Sequence, residues 1–199
     1  MDLADRAIRV VSDHPAISRV ELAGSRARGT QNELSDWDFA VQTTDLAAVA
    51  RALPDLVEPL RPLAKQWEPL GHFPAYMLML RGPTKVEYLF LEHSQEPKPP
   101  VVPTARTLQP IDDHFWDWIW WIATKVQVDR NDLVRAHWPL MFAHILRPMG
   151  ATQAPHSVAS GVRTYLRLRR TLEKRFHAAV SGQLEREVRS GLRELGHAF

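Results

Sequence analysis

Leu3, Ala7, Ile8, Val10 and Val11 recur at helical spacing and stop before His14-Pro15, which predicts a helix over residues 2–13. The period then shortens to two. Ile17 to Ala23 alternates apolar and polar positions, as a strand running into Gly24 would. A second strand is expected over Asp36 to Gln42, after the polar loop Thr30-Gln31-Asn32-Glu33. Thr43-Thr44-Asp45 makes a helix start and Leu46 to Leu53 a helix body. Pro54, Pro59 and Pro62 then break the chain into short or irregular helical turns. Two β-prone runs, Ala75–Leu80 and Lys85–Leu91, flank Arg81-Gly82-Pro83-Thr84 and predict a hairpin.

Pro97, Pro99, Pro100 and Pro103 mark a linker, and beyond it the pattern is helical throughout. Asp112 or Asp113 is placed to cap a helix through about Val128 that carries Phe115, Trp116, Trp118, Trp120 and Trp121. Asn131 and Asp132 begin another, to about Leu146, and two more cover about 156–178 and 180–195. The expectation is an α+β chain. Residues 1–96 form a small mixed β-sheet domain with flanking helices, 97–105 link, and 106–199 form an all-α helical bundle.

Composition narrows the class. Hydrophobic residues at 45% and charged residues at 24% suit a globular protein with a buried core. A formal net charge of +2 gives no reason to expect a nucleic-acid reader. No cysteine is present, so disulfides and thiolate metal sites are excluded. The amino-terminal residues lack the apolar run of a signal peptide, and no apolar stretch approaches a membrane span. A cytoplasmic protein is expected.

The chemistry concentrates in Gly24-Ser25-Arg26-Ala27-Arg28-Gly29 and in Ser35-Asp36-Trp37-Asp38-Phe39. On an extended segment Asp36 and Asp38 point to one side, a costly pairing of like charges unless a cation lies between them. The glycine-serine loop upstream offers N–H groups and a hydroxyl suited to phosphate oxygens. Together they read as a device for holding a metal–nucleotide. The pattern resembles the signature of the DNA polymerase β-type nucleotidyltransferase superfamily, in which Gly-Ser precedes an Asp-x-Asp strand and a third acid follows on a later strand. The order of a sheet domain and then a helical one also resembles aminoglycoside and lincosamide nucleotidyltransferases.

Glu87 is the expected third acid: it interrupts an apolar strand, where an unpartnered carboxylate would be costly, and it matches the family's third acidic position. The resemblance implies that it is metal ligand and general base together. Glu92, on the opposite strand face, is the runner-up. Three carboxylates suit magnesium, with a two-ion site expected, and ATP or another NTP as co-substrate.

Gly24, Ser25 and Arg28 are candidates for the triphosphate, although Arg28 also suits a surface ion pair. Ser35 is either a local cap or a nucleotide contact. Lys125 either answers phosphate charge or lies on a solvated helix face. The tryptophans read as core, with stacking of a flat substrate on Trp116 or Trp120 as the alternative. Asp112 and Asp113 read as caps rather than an acidic patch for a cationic acceptor. His137 and His144 are too far apart for one zinc, and the basic run from Arg163 to Arg175 reads as a solvated or partner-facing helix.

The resemblance implies transfer of a nucleoside monophosphate, AMP from ATP first, to a hydroxyl of a small-molecule acceptor held between the domains. An aminoglycoside-like antibiotic is one such acceptor. A protein hydroxyl, as in antitoxin-like nucleotidyltransferases, and a non-catalytic nucleotide-binding module are the alternatives; monomer and homodimer remain open.

Overall fold

The computed structural model describes residues 2–199. The chain divides into two compact units, Met1–Lys98 and Pro99–Phe199. In the expected linker, the Lys98 amide donates to the Pro69 carbonyl in the first unit and the Val101 amide to the His144 carbonyl in the second.

The first unit is built on a mixed five-stranded sheet, in the order β1-β2-β5-β4-β3. Its strands are β1 (Ile17–Leu22), β2 (Trp37–Thr43), β3 (Ala64–Trp67), β4 (Ala75–Leu80) and β5 (Thr84–Leu89). β2 and β5 run parallel; every other neighbouring pair is antiparallel. Two helices, α1 (Leu3–Ser12) and α3 (Leu46–Leu56), join the sheet in one core. Ala7 and Val11 of α1 and Val49 and Leu53 of α3 pack with Phe39, Val41, Tyr76, Leu78, Val86 and Tyr88. The Tyr88 hydroxyl donates to the Ala7 carbonyl at 2.8 Å, so its polar end is satisfied within that core. Asp2 and Asp45 cap the two helices through Asp5 N–H and Ala48 N–H.

Because side chains alternate along a strand, Asp38, Lys85, Glu87 and Met77 fall on the other sheet face. The core therefore fixes which face carries the acids.

Two expectations about this unit need correction. The stretch after Pro62 is not merely broken helical turns, since Ala64–Trp67 pairs with Met79–Tyr76 as the edge strand β3. Its four residues are too few to show a period, and the partner strand supplies the register. The Gly24 loop contains a single helical turn, α2 (Gly24–Ala27).

The second unit holds α4 (Leu108–Gln127), α5 (Asn131–Met141), α6 (Val158–Phe176) and α7 (Gln183–Glu194). A π-helical turn, Phe142–Leu146, follows α5. Asp112 and Asp113 are not caps. α4 begins one turn earlier because Pro110 sits in its first turn, where the missing N–H breaks no helical bond. Asp112 is fully buried, and its Oδ1 accepts from Trp116 Nε1, the Tyr165 hydroxyl and Arg169. Arg169 also donates to Glu185, so one network joins α4, α6 and α7. Ser157 and Ser160 form a capping box at the start of α6. Among the described residues no helix is long and apolar enough to cross a membrane.

Candidate active site

In the parallel register of β2 and β5, Asp38 stands opposite Glu87. The two carboxyl groups are close enough for the charge of each to act on the other. Burial raises the proton affinity of Asp38 to a pKa of about 6, helped by the negative charges of Glu87 and Asp36 and opposed by Lys85. Asp36 precedes β2 and reaches the pair through its charge.

Two groups absent from the sequence-based site lie here. Lys85 leaves β5 on the same face as Glu87, two residues earlier, and its Nζ is 3.0 Å from Glu87 Oε1. The lysine side chain is 6% exposed and the glutamate 21%. Glu68 follows β3. Burial raises its proton affinity, while the Leu70 N–H and Lys85 lower it and Glu87 raises it. The signal for Lys85 was a cation heading an apolar run; for Glu68 there was none until β3 was paired with β4.

The loop before β2 is shaped to these acids. Ala23 N–H donates to the Asp38 carbonyl at 2.7 Å, which fixes the chain before the turn. Gly24 then takes φ +62°, and a β-carbon on it would lie 1.8 Å from Asp38 Oδ2. Ser25 accepts the Thr30 amide through its carbonyl. Arg26 spans the loop: it donates to the carbonyls of Asp36 (3.1 Å) and Ser35 (2.7 Å), and its guanidinium lies 3.8 Å from the Trp37 ring centroid. Arg28 closes α2 and is exposed. The Ser35 hydroxyl accepts from Asn32 N–H and lies 3.3 Å from Asn32 Oδ1, which makes it part of the local turn.

The structure thus brings Gly24, Asp36, Asp38 and Glu87 together, with Ser25 in the adjoining turn. Lys125 belongs to the other unit, in the last turn of α4, 5.1 Å from the Trp121 ring. Glu92 accepts from Gln42 Nε2 at 3.1 Å. Trp116 is wholly buried and Trp120 is 6% exposed, so neither presents a face for a flat substrate. His137 accepts from Trp118 Nε1, and His144 is buried.

Among the described residues no three histidine, aspartate or glutamate side chains are close enough together to hold one metal ion. The donor chemistry nevertheless fits a hard divalent cation. Asp38 and Glu87 face each other across adjacent parallel strands, and a cation held by both would relieve their repulsion.

No family model matches this chain. No curated protein matches it either. Among solved structures, the crystal structure of an aminoglycoside 6-adenyltransferase from Bacillus subtilis is similar at 11% sequence identity and a TM-score of 0.38, over 98% of this chain and 97% of that one.

Proposed function

We propose that the chain is a nucleotidyltransferase that moves AMP from ATP to a hydroxyl of a small-molecule acceptor. The observation that supports this reading is the register of Asp38 with Glu87 on parallel strands, beside a glycine turn that leaves room for the Asp38 carboxylate and no more. Such an arrangement serves a reaction whose main demands are charge neutralisation and in-line positioning.

In the proposed reaction the acceptor oxygen bonds to the α-phosphorus and the bond from that phosphorus to the β-phosphate bridging oxygen breaks. Pyrophosphate leaves, and the hydroxyl proton passes to the Glu87 carboxylate. Asp38 and Glu87 would hold magnesium, with the charge of Asp36 beside them; the ion supplies charge for the phosphate oxygens when bound. The turn Gly24–Arg28 would receive the triphosphate through its N–H groups and the Arg28 guanidinium. Arg26 holds the loop in place for that contact. A cationic, hydroxyl-rich acceptor such as an aminoglycoside is the first class to try, because four acidic side chains interact electrostatically around Asp38, Glu87 and Lys85.

The experiment is transfer of label from α-labelled ATP, with magnesium, to a panel of aminoglycosides, lincosamides, tRNA and proteins. Wild type should label one small-molecule class, and Asp38→Asn and Glu87→Gln should each lose at least about a hundredfold in rate. Labelling unchanged by either substitution, or nucleotide binding without transfer to any acceptor, would overturn the reading.

A further inference from the structure

Resting on that reading, we propose that Lys85 is a built-in counter-cation of the carboxylate site, which weakens the binding of free metal at Glu87 and makes metal entry depend on the nucleotide. The ammonium and the Glu87 carboxylate are 3.0 Å apart, and both leave β5 on the acidic face. The strand neighbours of Lys85 and Glu87 across β4 are Met79 and Met77, both buried. The two buried methionines and a side-chain exposure of 6% leave little water to screen the lysine charge, which Glu68 also feels. Lys85 therefore already meets part of the demand that a metal would meet.

A divalent cation arriving alone must share Glu87 with an ammonium or displace it. Two cations at that spacing repel strongly where water is scarce. A triphosphate changes the balance, because its oxygens supply negative charge for both. Metal and nucleotide then favour each other, and the coupling is reciprocal: each raises the affinity of the other by the same factor. The same carboxylates without the lysine would instead load metal first. Lys85 acts on the reaction through Glu87 and the order of loading, so it is a positioning residue.

The test measures Mn²⁺ binding by electron paramagnetic resonance, without catalysis, in the presence and absence of α,β-methylene-ATP. Wild type should bind Mn²⁺ weakly alone and much more tightly with the analogue. Lys85→Met, whose side chain suits the neighbouring methionines, should bind Mn²⁺ alone at least about tenfold tighter and lose most of the gain from the analogue. Lys85→Gln should shift the same way, which keeps the test valid if one variant folds poorly. Lys85→Arg keeps the charge and should behave as wild type. Wild type that binds metal and analogue, with neutral variants that bind Mn²⁺ no tighter, would overturn the role of Lys85 alone. Wild type that binds neither would overturn the nucleotidyltransferase reading as well.

Discussion

Gly24 lies so close to Asp38 that a β-carbon at position 24 would stand 1.8 Å from Asp38 Oδ2. The residue is required twice over, by this approach and by its φ of +62°. Turning the carboxylate alone does not clear the contact, because the added β-carbon would also stand 2.8 Å from Asp38 Cγ. Gly29 has a similar φ of +68° with nothing within 4 Å of its would-be β-carbon. The pair separates strain from collision. Gly29→Ala should lose about 1 kcal/mol of stability from backbone strain. Gly24→Ala should lose about 2–4 kcal/mol and all detectable nucleotidyl transfer. Urea unfolding of the two variants checks this; equal losses would show that the approach to Asp38 is unimportant.

Elements whose signal is local were legible in the sequence. The hairpin of β4 and β5 shows as two β-prone runs about Gly82, and α1 as a 3.6-residue period. Asp38 and Glu87 were legible because each is an acid in or beside an apolar strand, where water is scarce and a partner is needed. β3 was not, because Pro59 and Pro62 dominate the reading of a strand only four residues long. Glu68 was lost with it. The role of Asp112 also escaped, because Tyr165 and Arg169 lie 53 and 57 residues further along the chain. No local rule anticipates such a pairing; an acid near a helix start looks like a cap.

That buried aspartate should matter more for stability than any surface charge. Asp112 has no exposed surface and accepts three hydrogen bonds, one from the partly buried Arg169. Asp112→Ala leaves two donors and one arm of the guanidinium without an acceptor while Glu185 keeps the charge paired, and is expected to destabilise by about 2–4 kcal/mol. Tyr165→Phe removes one bond and should cost about 1–2 kcal/mol. Chemical denaturation gives both values. Asp112→Ala within 1 kcal/mol of wild type would mean that water replaces the network.

Asp113 should make stability depend on pH. Burial raises its pKa from 3.8 to about 6, with the Asp112 charge adding to the rise and the Gln109 hydrogen bond opposing it. The folded protein therefore holds this proton more tightly than the unfolded chain does. The contribution is fully present below pH 3.8, declines as pH rises, and is lost above about 6. Asp113→Asn cannot ionise, so it should gain on wild type by about 1–3 kcal/mol between pH 4 and pH 7. Melting of both proteins across that range measures the difference; parallel curves would show that Asp113 ionises at its ordinary pKa.

Arg26 and Arg28 sit two residues apart and should fail in different ways. Arg26 is tied to the carbonyls of Ser35 and Asp36 and packs on Trp37, so it holds the segment that delivers Asp36 to the site. Arg28 is exposed, at the end of α2. Arg26→Ala should speed amide hydrogen exchange across residues 30–37 and reduce transfer through a lower kcat. Arg26→Lys should recover little, because one ammonium cannot reproduce the two-pronged contact or the planar stacking. Arg28→Ala should leave exchange in that segment unchanged, shift stability by no more than about 0.5 kcal/mol, and raise KM for ATP. Hydrogen exchange and steady-state kinetics on the three variants decide the matter. If Arg28→Ala loosens the loop while Arg26→Ala alters only KM, the positioning role belongs to Arg28 and the phosphate role to Arg26.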